Sequence, residues 1–138
     1  MKIAEHFTIK ELVDTSYADL QAENIYYALD RFNELTRLAQ FCERVRKVLN
    51  VPMNITSGVR GPKLNKKVGG TDNSDHIKLL AVDFVPSKIK LKTVFDKIRK
   101  SSLDYKQLIL EKNTWIHISF GNDKKEALIY DGKKYKRV

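Results

Sequence analysis

The stretch Gln107-Leu108-Ile109-Leu110-Glu111-Lys112-Asn113-Thr114-Trp115-Ile116-His117-Ile118-Ser119-Phe120 decides the fold. Two apolar runs with alternating polar positions flank a three-residue loop, which is the pattern of two strands in a hairpin. If they pair through Lys112-Asn113-Thr114, Glu111 lies opposite Trp115 and Ile109 opposite His117. Leu108, Leu110, Ile116 and Ile118 then share the core face. Trp115, His117 and Ser119 share the other face, and Glu111 projects there too, diagonal to His117 at roughly 7–8 Å between Cα atoms. A one-residue slip would exchange the faces.

Working outward, Ala81-Val82-Asp83-Phe84-Val85 reads as a further strand, and Asn54-Ile55-Thr56-Ser57 after Pro52 as another. A hairpin is expected through Asp131-Gly132. Upstream, Thr8-Ile9-Lys10-Glu11 has the form of a capping box opening a short helix to about Val13. Ile25, Leu29, Phe32, Leu35, Leu38, Cys42, Val45 and Leu49 step by three or four, which predicts one long amphipathic helix from Asn24 to about Leu49. Another helix is expected from about Leu91 to Lys100, with Val94, Phe95 and Ile98 inward. Helices come first and strands cluster late. The expectation is an α+β fold over residues 1–138, a single domain with helices packed on a small, largely antiparallel sheet.

The chain has 138 residues, with a hydrophobic fraction of 42% and a net charge of +9. Such a composition belongs to a globular domain rather than a disordered or collagen-like chain. No apolar run reaches the roughly 20 residues of a membrane helix, and Met1-Lys2-Ile3-Ala4-Glu5-His6 has no apolar core of a secretion signal. The reading is a protein made in the cytoplasm. The lone Cys42 forms no intrachain disulfide and sits on the apolar helix stripe, where it reads as a core residue. A basic surface attracts nucleic acid, anionic lipid or an acidic wall polymer. Lys133-Lys134-Tyr135-Lys136-Arg137 fits a nucleic-acid patch or a solvated edge strand, and the lysines favour the edge strand.

Asp83 in an apolar strand must be solvated, hydrogen-bonded or bound to a cation. Taken singly, His117 reads as a satisfied structural residue and Glu111 as a solvated hairpin end. His76, however, precedes Asp83 by seven positions and closes the polar loop Gly69-Gly70-Thr71-Asp72-Asn73-Ser74-Asp75. With His117, these residues offer two nitrogens and one oxygen, the donor set of a catalytic zinc site that keeps a position for water. Glu111, diagonal to His117, suits a base acting on that water rather than a ligand.

The segments Ile55-Thr56-Ser57-Gly58-Val59-Arg60-Gly61-Pro62-Lys63-Leu64-Asn65, Val68-Gly69-Gly70, Ser74-Asp75-His76, Ala81-Val82-Asp83 and Trp115-Ile116-His117-Ile118-Ser119 together resemble the zinc D-Ala-D-Ala carboxypeptidase family. That group includes van-type dipeptidases, phage L-alanyl-D-glutamate endolysins and the hedgehog signalling domain. Phe7-Thr8-Ile9-Lys10-Glu11-Leu12 and the long helix resemble its phage and bacterial branch, so the likeness runs to about Phe120. The family pattern S-x-H-x-x-G-x-A-x-D maps onto Ser74, His76, Ala81 and Asp83, followed by His117.

The resemblance implies Zn2+ held by His76, Asp83 and His117, with Arg60 contacting the substrate or the developing oxyanion. It also implies that Ser74 orders the loop of His76 and is no nucleophile. Two positions depart from the pattern: Leu79 stands where the family has glycine, and Thr114, three before His117, where many relatives have the catalytic acid. In another branch the acid lies six before, which is Glu111. The activity so implied is a zinc metallopeptidase, carboxypeptidase or endopeptidase, on peptidoglycan stem peptides. It would act at the cell wall or periplasm after release as an endolysin, or carried in a virion. Expected partners are those stem peptides, an anionic wall polymer by charge, and phage virion proteins, with no membrane span and no nucleic acid. The alternative is a non-catalytic zinc-binding structural protein of a phage particle.

Overall fold

A computed structural model describes residues 1–138. It contains, in chain order, β1 (Lys2–Ala4), β2 (Phe7–Thr8), α1 (Ile9–Val13), a short 3-10 turn (Ala18–Leu20), α2 (Gln21–Leu29) and α3 (Phe32–Leu49). There follow β3 (Met53–Ser57), α4 (Pro62–Lys67), β4 (Ala81–Pro86), α5 (Leu91–Lys100), β5 (Gln107–Glu111), β6 (Trp115–Ser119), β7 (Glu126–Tyr130) and β8 (Tyr135–Arg137). The α+β class is as expected. No helix is long and apolar enough to cross a membrane. The chain groups into two compact units, Met1–Glu43 with Ser57–Val82, and Arg44–Thr56 with Asp83–Val138. The boundaries fall within α3, β3 and β4.

In the first unit, the capping box at α1 is complete. Glu11 N–H donates to Thr8 Oγ1 and Thr8 N–H to Glu11 Oε1, both at 3.1 Å. The single long helix expected from Asn24 to Leu49 is instead two. Asp30 N–H bonds Tyr26 O and Arg31 N–H bonds Ala28 O, so the backbone tightens at this point. The Arg31 guanidinium stacks 3.7 Å over the Tyr27 ring, and its Nη1 donates to Tyr27 O. The tightened turn shifts the apolar stripe: α2 buries Asn24 and Ala28, while Leu29 and Phe32 are 42% and 51% exposed. From Leu35 onward the predicted face is right, and Leu35, Leu38 and Cys42 are fully buried. Helix α4 was not expected, although Pro62 occupies its first turn, a position that favours helix starts.

The second unit is built on the six-stranded sheet, ordered β3-β4-β6-β5-β7-β8. The β5–β6 hairpin has the anticipated register, with Glu111 opposite Trp115 and Ile109 opposite His117. Its turn works because Lys112 and Asn113 both adopt left-handed conformations, φ 52° and 50°. Helix α5 spans the expected residues and buries Val94, Phe95 and Ile98. It packs on β5 and β6, so the core face of the hairpin is covered and the Glu111–His117 face is the opposite one. Beyond β6 the chain does not continue hairpin by hairpin. Strand β7 pairs parallel with β5, Glu111 opposite Tyr130, and β8 closes an antiparallel hairpin on β7 through Asp131-Gly132. Residues 131–138 are all exposed, and the lysine-rich β8 is the edge strand, one of the two readings open for it.

Candidate metal centre

His76 is positioned by its own loop. Ser74 Oγ accepts the His76 N–H at 3.2 Å, the loop-ordering role implied for Ser74. Leu80 N–H returns to Asp75 O at 2.9 Å, closing the turn that leads into β4. Within this turn Leu79 is buried with φ 58°, the left-handed region that a glycine occupies freely. The departure from the family glycine therefore leaves the turn in place, at a conformational cost of about 1–2 kcal/mol.

The His76 ring is oriented by the backbone. Nδ1 lies 2.7 Å from Gly58 O, and because a carbonyl only accepts, Nδ1 carries the proton. Nε2 then holds the lone pair a metal requires, an arrangement common to metal-binding histidines. Gly58 is glycine for a steric reason. A methyl group there would collide with the carbonyl oxygen of Leu12, which accepts the Val59 N–H at 2.7 Å. Asn24 holds the same region from the other side. Its Nδ2 donates to Val13 O (2.7 Å) and Val59 O (2.9 Å), and its Oδ1 accepts the Gly61 N–H (2.7 Å). Tyr27 adds a bond from its hydroxyl to Ile77 O, at 2.7 Å, in the loop just beyond His76.

Arg60 is half-buried and donates its backbone N–H to His76 O at 3.2 Å. Its Nη1 lies 3.3 Å from Oδ1 of buried Asn65, whose Nδ2 in turn donates to Thr71 O at 2.8 Å. Sequence reasoning missed Asn24, Asn65 and the constraint on Gly58. The available signal was a polar residue, Asn24, four positions before Ala28 on the inward face of α2.

Asp83 and His117 sit half-buried on neighbouring strands β4 and β6, and His117 Nδ1 lies 2.8 Å from Asp83 Oδ1. One ligand atom from each of His76, Asp83 and His117 lies within 4.8 Å of the others. Zinc ligands at about 2.0–2.1 Å from the ion in a tetrahedron are roughly 3.3 Å apart, so these donors close on an ion by drawing together a little. The donor set and the fixed tautomer of His76 thus fit a zinc ion.

Glu111 stands on the same sheet face, half-buried at the end of β5. Burial pushes its carboxyl above the usual 4.5; the charge of Asp83 adds to this, while His117 and Lys112 oppose it. Thr114, the other position considered for an acid, is exposed in the hairpin turn, with its hydroxyl bonded to Lys112 O.

Two imidazoles and a carboxylate with ligand atoms this close offer the donor set of a metal centre. The chain belongs to the Peptidase M15 family, a zinc-dependent group whose profile matches residues 5–119. No curated protein matches the chain. The family match ends with β6, so β7 and β8 lie beyond it.

Proposed function

We propose that this chain is a zinc-dependent peptidase that cleaves peptidoglycan stem peptides. The observation that carries the reading is the convergence of His76, Asp83 and His117 in a chain of the Peptidase M15 family. In this reading the three residues are the metal ligands. A zinc ion held by them would supply Lewis acidity toward the scissile carbonyl and the attacking water.

Glu111 is the general base. It takes the proton of the attacking water and returns it to the leaving amine. Its half-buried position suits this, because a carboxyl raised from 4.5 is better matched to proton transfer near neutral pH. Gly58 O fixes the His76 tautomer, and Ser74 and Leu79 hold the loop that presents the ring. Arg60, anchored by Asn65, binds a substrate carboxylate or the developing oxyanion. The +9 charge favours adsorption to an anionic wall polymer, consistent with an endolysin or a virion-borne lysin acting at the cell wall.

Leu79 and Thr114, the two departures from the family pattern, are what favours the alternative of a non-catalytic structural zinc protein. Neither departure removes a member of the constellation, since Leu79 adopts the glycine-like conformation and Glu111 occupies the hairpin face. The test is mass spectrometry of purified sacculi after incubation with the zinc-loaded protein, with and without chelator, and with Glu111→Gln. The expected result is peptide release by the parent protein alone. Zinc should stay bound in Glu111→Gln while turnover falls by about 10²–10⁴. Undiminished release by that variant would remove Glu111 from the mechanism.

A further inference from the structure

The C-terminal hairpin lies outside the family-matched segment and still joins the face that carries Glu111. Partners in register share a face, so Trp115, Glu111, Tyr130 and Tyr135 form one row across β6, β5, β7 and β8. His117 lies in the next row, with Ile109, Leu128 and Arg137. Lys112 N–H donates to Tyr130 O at 2.8 Å, locking the end of β5 to β7. The Tyr130 and Tyr135 rings stack with centroids 4.4 Å apart, and Tyr135 remains 56% exposed on the edge strand.

We infer that this row is a binding ledge for the leaving side of an extended peptide, with the Tyr135 ring, backed by Tyr130, as its platform. The inference rests on the peptidase reading above and deepens it, since it makes the enzyme an endopeptidase. The direction follows from the chemistry. The scissile carbonyl belongs at His76, Asp83 and His117, and Glu111 delivers its proton to the leaving amine. The chain that departs with that amine therefore lies beyond Glu111, over β7 and β8. Two inter-strand spacings, about 10 Å, separate Glu111 from Tyr135 along the row. An extended peptide spans that distance in about three residues, so a single terminal amino acid would not reach the platform.

The charge around the row agrees with the occupant. Lys133 and Lys134 stand in the turn beside Tyr135, Arg137 shares its face but is paired with Glu126 Oε2 at 3.1 Å, and Lys136 faces the other side, so the two turn lysines are the cations open to the carboxylates of a stem peptide. The Tyr135 hydroxyl also senses the row: burial raises its pKa first, and the Glu111 carboxylate adds to the shift.

The experiment compares two synthetic peptides that share the bond cut in sacculi, as identified by mass spectrometry. One carries a single residue after that bond and the other carries three. The zinc-loaded parent protein should show a kcat/KM about tenfold higher for the longer peptide. Tyr135→Ala should raise KM for the longer peptide about tenfold, with kcat within about twofold, and leave the shorter one unchanged. Tyr135→Phe, which keeps the ring, should stay close to the parent. Zinc content and thermal midpoint check that each variant is folded.

Equal kcat/KM of the parent for both peptides overturns the ledge by itself, whatever the variants do. So does a Tyr135→Ala defect shared by both peptides, or a Tyr135→Phe defect as large as that of Tyr135→Ala. Release of only a terminal residue from sacculi removes the ledge while the peptidase stands. No release at all from sacculi removes the peptidase and the ledge together.

Discussion

Replacing Gly58 with alanine tests how the backbone governs the metal centre. The added methyl would overlap the Leu12 carbonyl oxygen, and that oxygen is itself held by the Val59 N–H at 2.7 Å. Restoring van der Waals separation requires the segment to move by about an ångström. A movement of that size opens the 2.7 Å contact between Gly58 O and His76 Nδ1 beyond hydrogen-bonding range.

Overpacking costs about 1–3 kcal/mol, and leaving a buried donor unsatisfied costs about 1–3 kcal/mol more. The variant should therefore lose roughly 2–6 kcal/mol. At about 3–5 °C per kcal/mol for a domain of this size, the thermal midpoint should fall by roughly 6–30 °C. Loss of the partner that orients His76 should weaken zinc binding by about 10–100-fold. Competition with a chromophoric chelator measures the second effect and calorimetry the first. A variant that binds zinc within threefold of the parent would refute the claim that the Gly58 carbonyl sets the ring.

Leu79 is buried in a left-handed conformation, so Leu79→Gly should be more stable than Leu79→Ala by about 1 kcal/mol, the reverse of the helix order. Equal denaturation midpoints for the two would argue against strain at this turn. Asn24→Ala removes the bonds to Val13 O, Val59 O and Gly61 N, and should cost at least about 3 kcal/mol by urea unfolding; a loss under 1 kcal/mol would contradict it. Glu111 must be ionised to act as a base, so activity should fall as decreasing pH protonates its carboxyl. Because the folded value is raised, stability from this carboxyl is present below the unfolded value and lost as pH rises through the folded one. In the metal-free protein Glu111→Gln should accordingly raise the thermal midpoint at pH 7 and not at pH 4. An equal change at both pH values in the metal-free protein would contradict the burial of this group.

The sequence was most legible where periodicity and local chemistry coincide. Strict alternation in 107–111 and 115–119, with a loop short enough to allow one register, places Glu111 and His117 on a shared face, as the ladder shows. Thr8 and Glu11 marked a helix start through two side chains that satisfy each other's backbone. Helix α2 was misread because Ile25, Leu29 and Phe32 continue the stripe of α3 arithmetically. The buried residues are instead Asn24 and Ala28, and only tertiary bonds to Val13, Val59 and Gly61 make a buried asparagine stable there.

The parallel pairing of β7 was also hidden, since a six-residue connection between two strands says nothing of whether they become neighbours. In the site, Asp83 and His117 stood out as polar residues in apolar strands, and it was the resemblance to the carboxypeptidase family that joined the loop residue His76 to them as a ligand set. The supports of that site were not legible. Gly58 and Asn65 act through backbone carbonyls and close approach, which leave no mark in hydrophobic patterning.

The last two strands join the sheet at its margin, touching the hairpin of Glu111 and His117 through β5 alone. Strand β8 has a single neighbour, β7, whereas β7 covers the whole length of β5, so changes confined to β8 are the ones that leave the β5–β6 ladder as it is. Substitutions in β7 and β8 therefore fall outside the segments that carry His76, Asp83, Glu111 and His117.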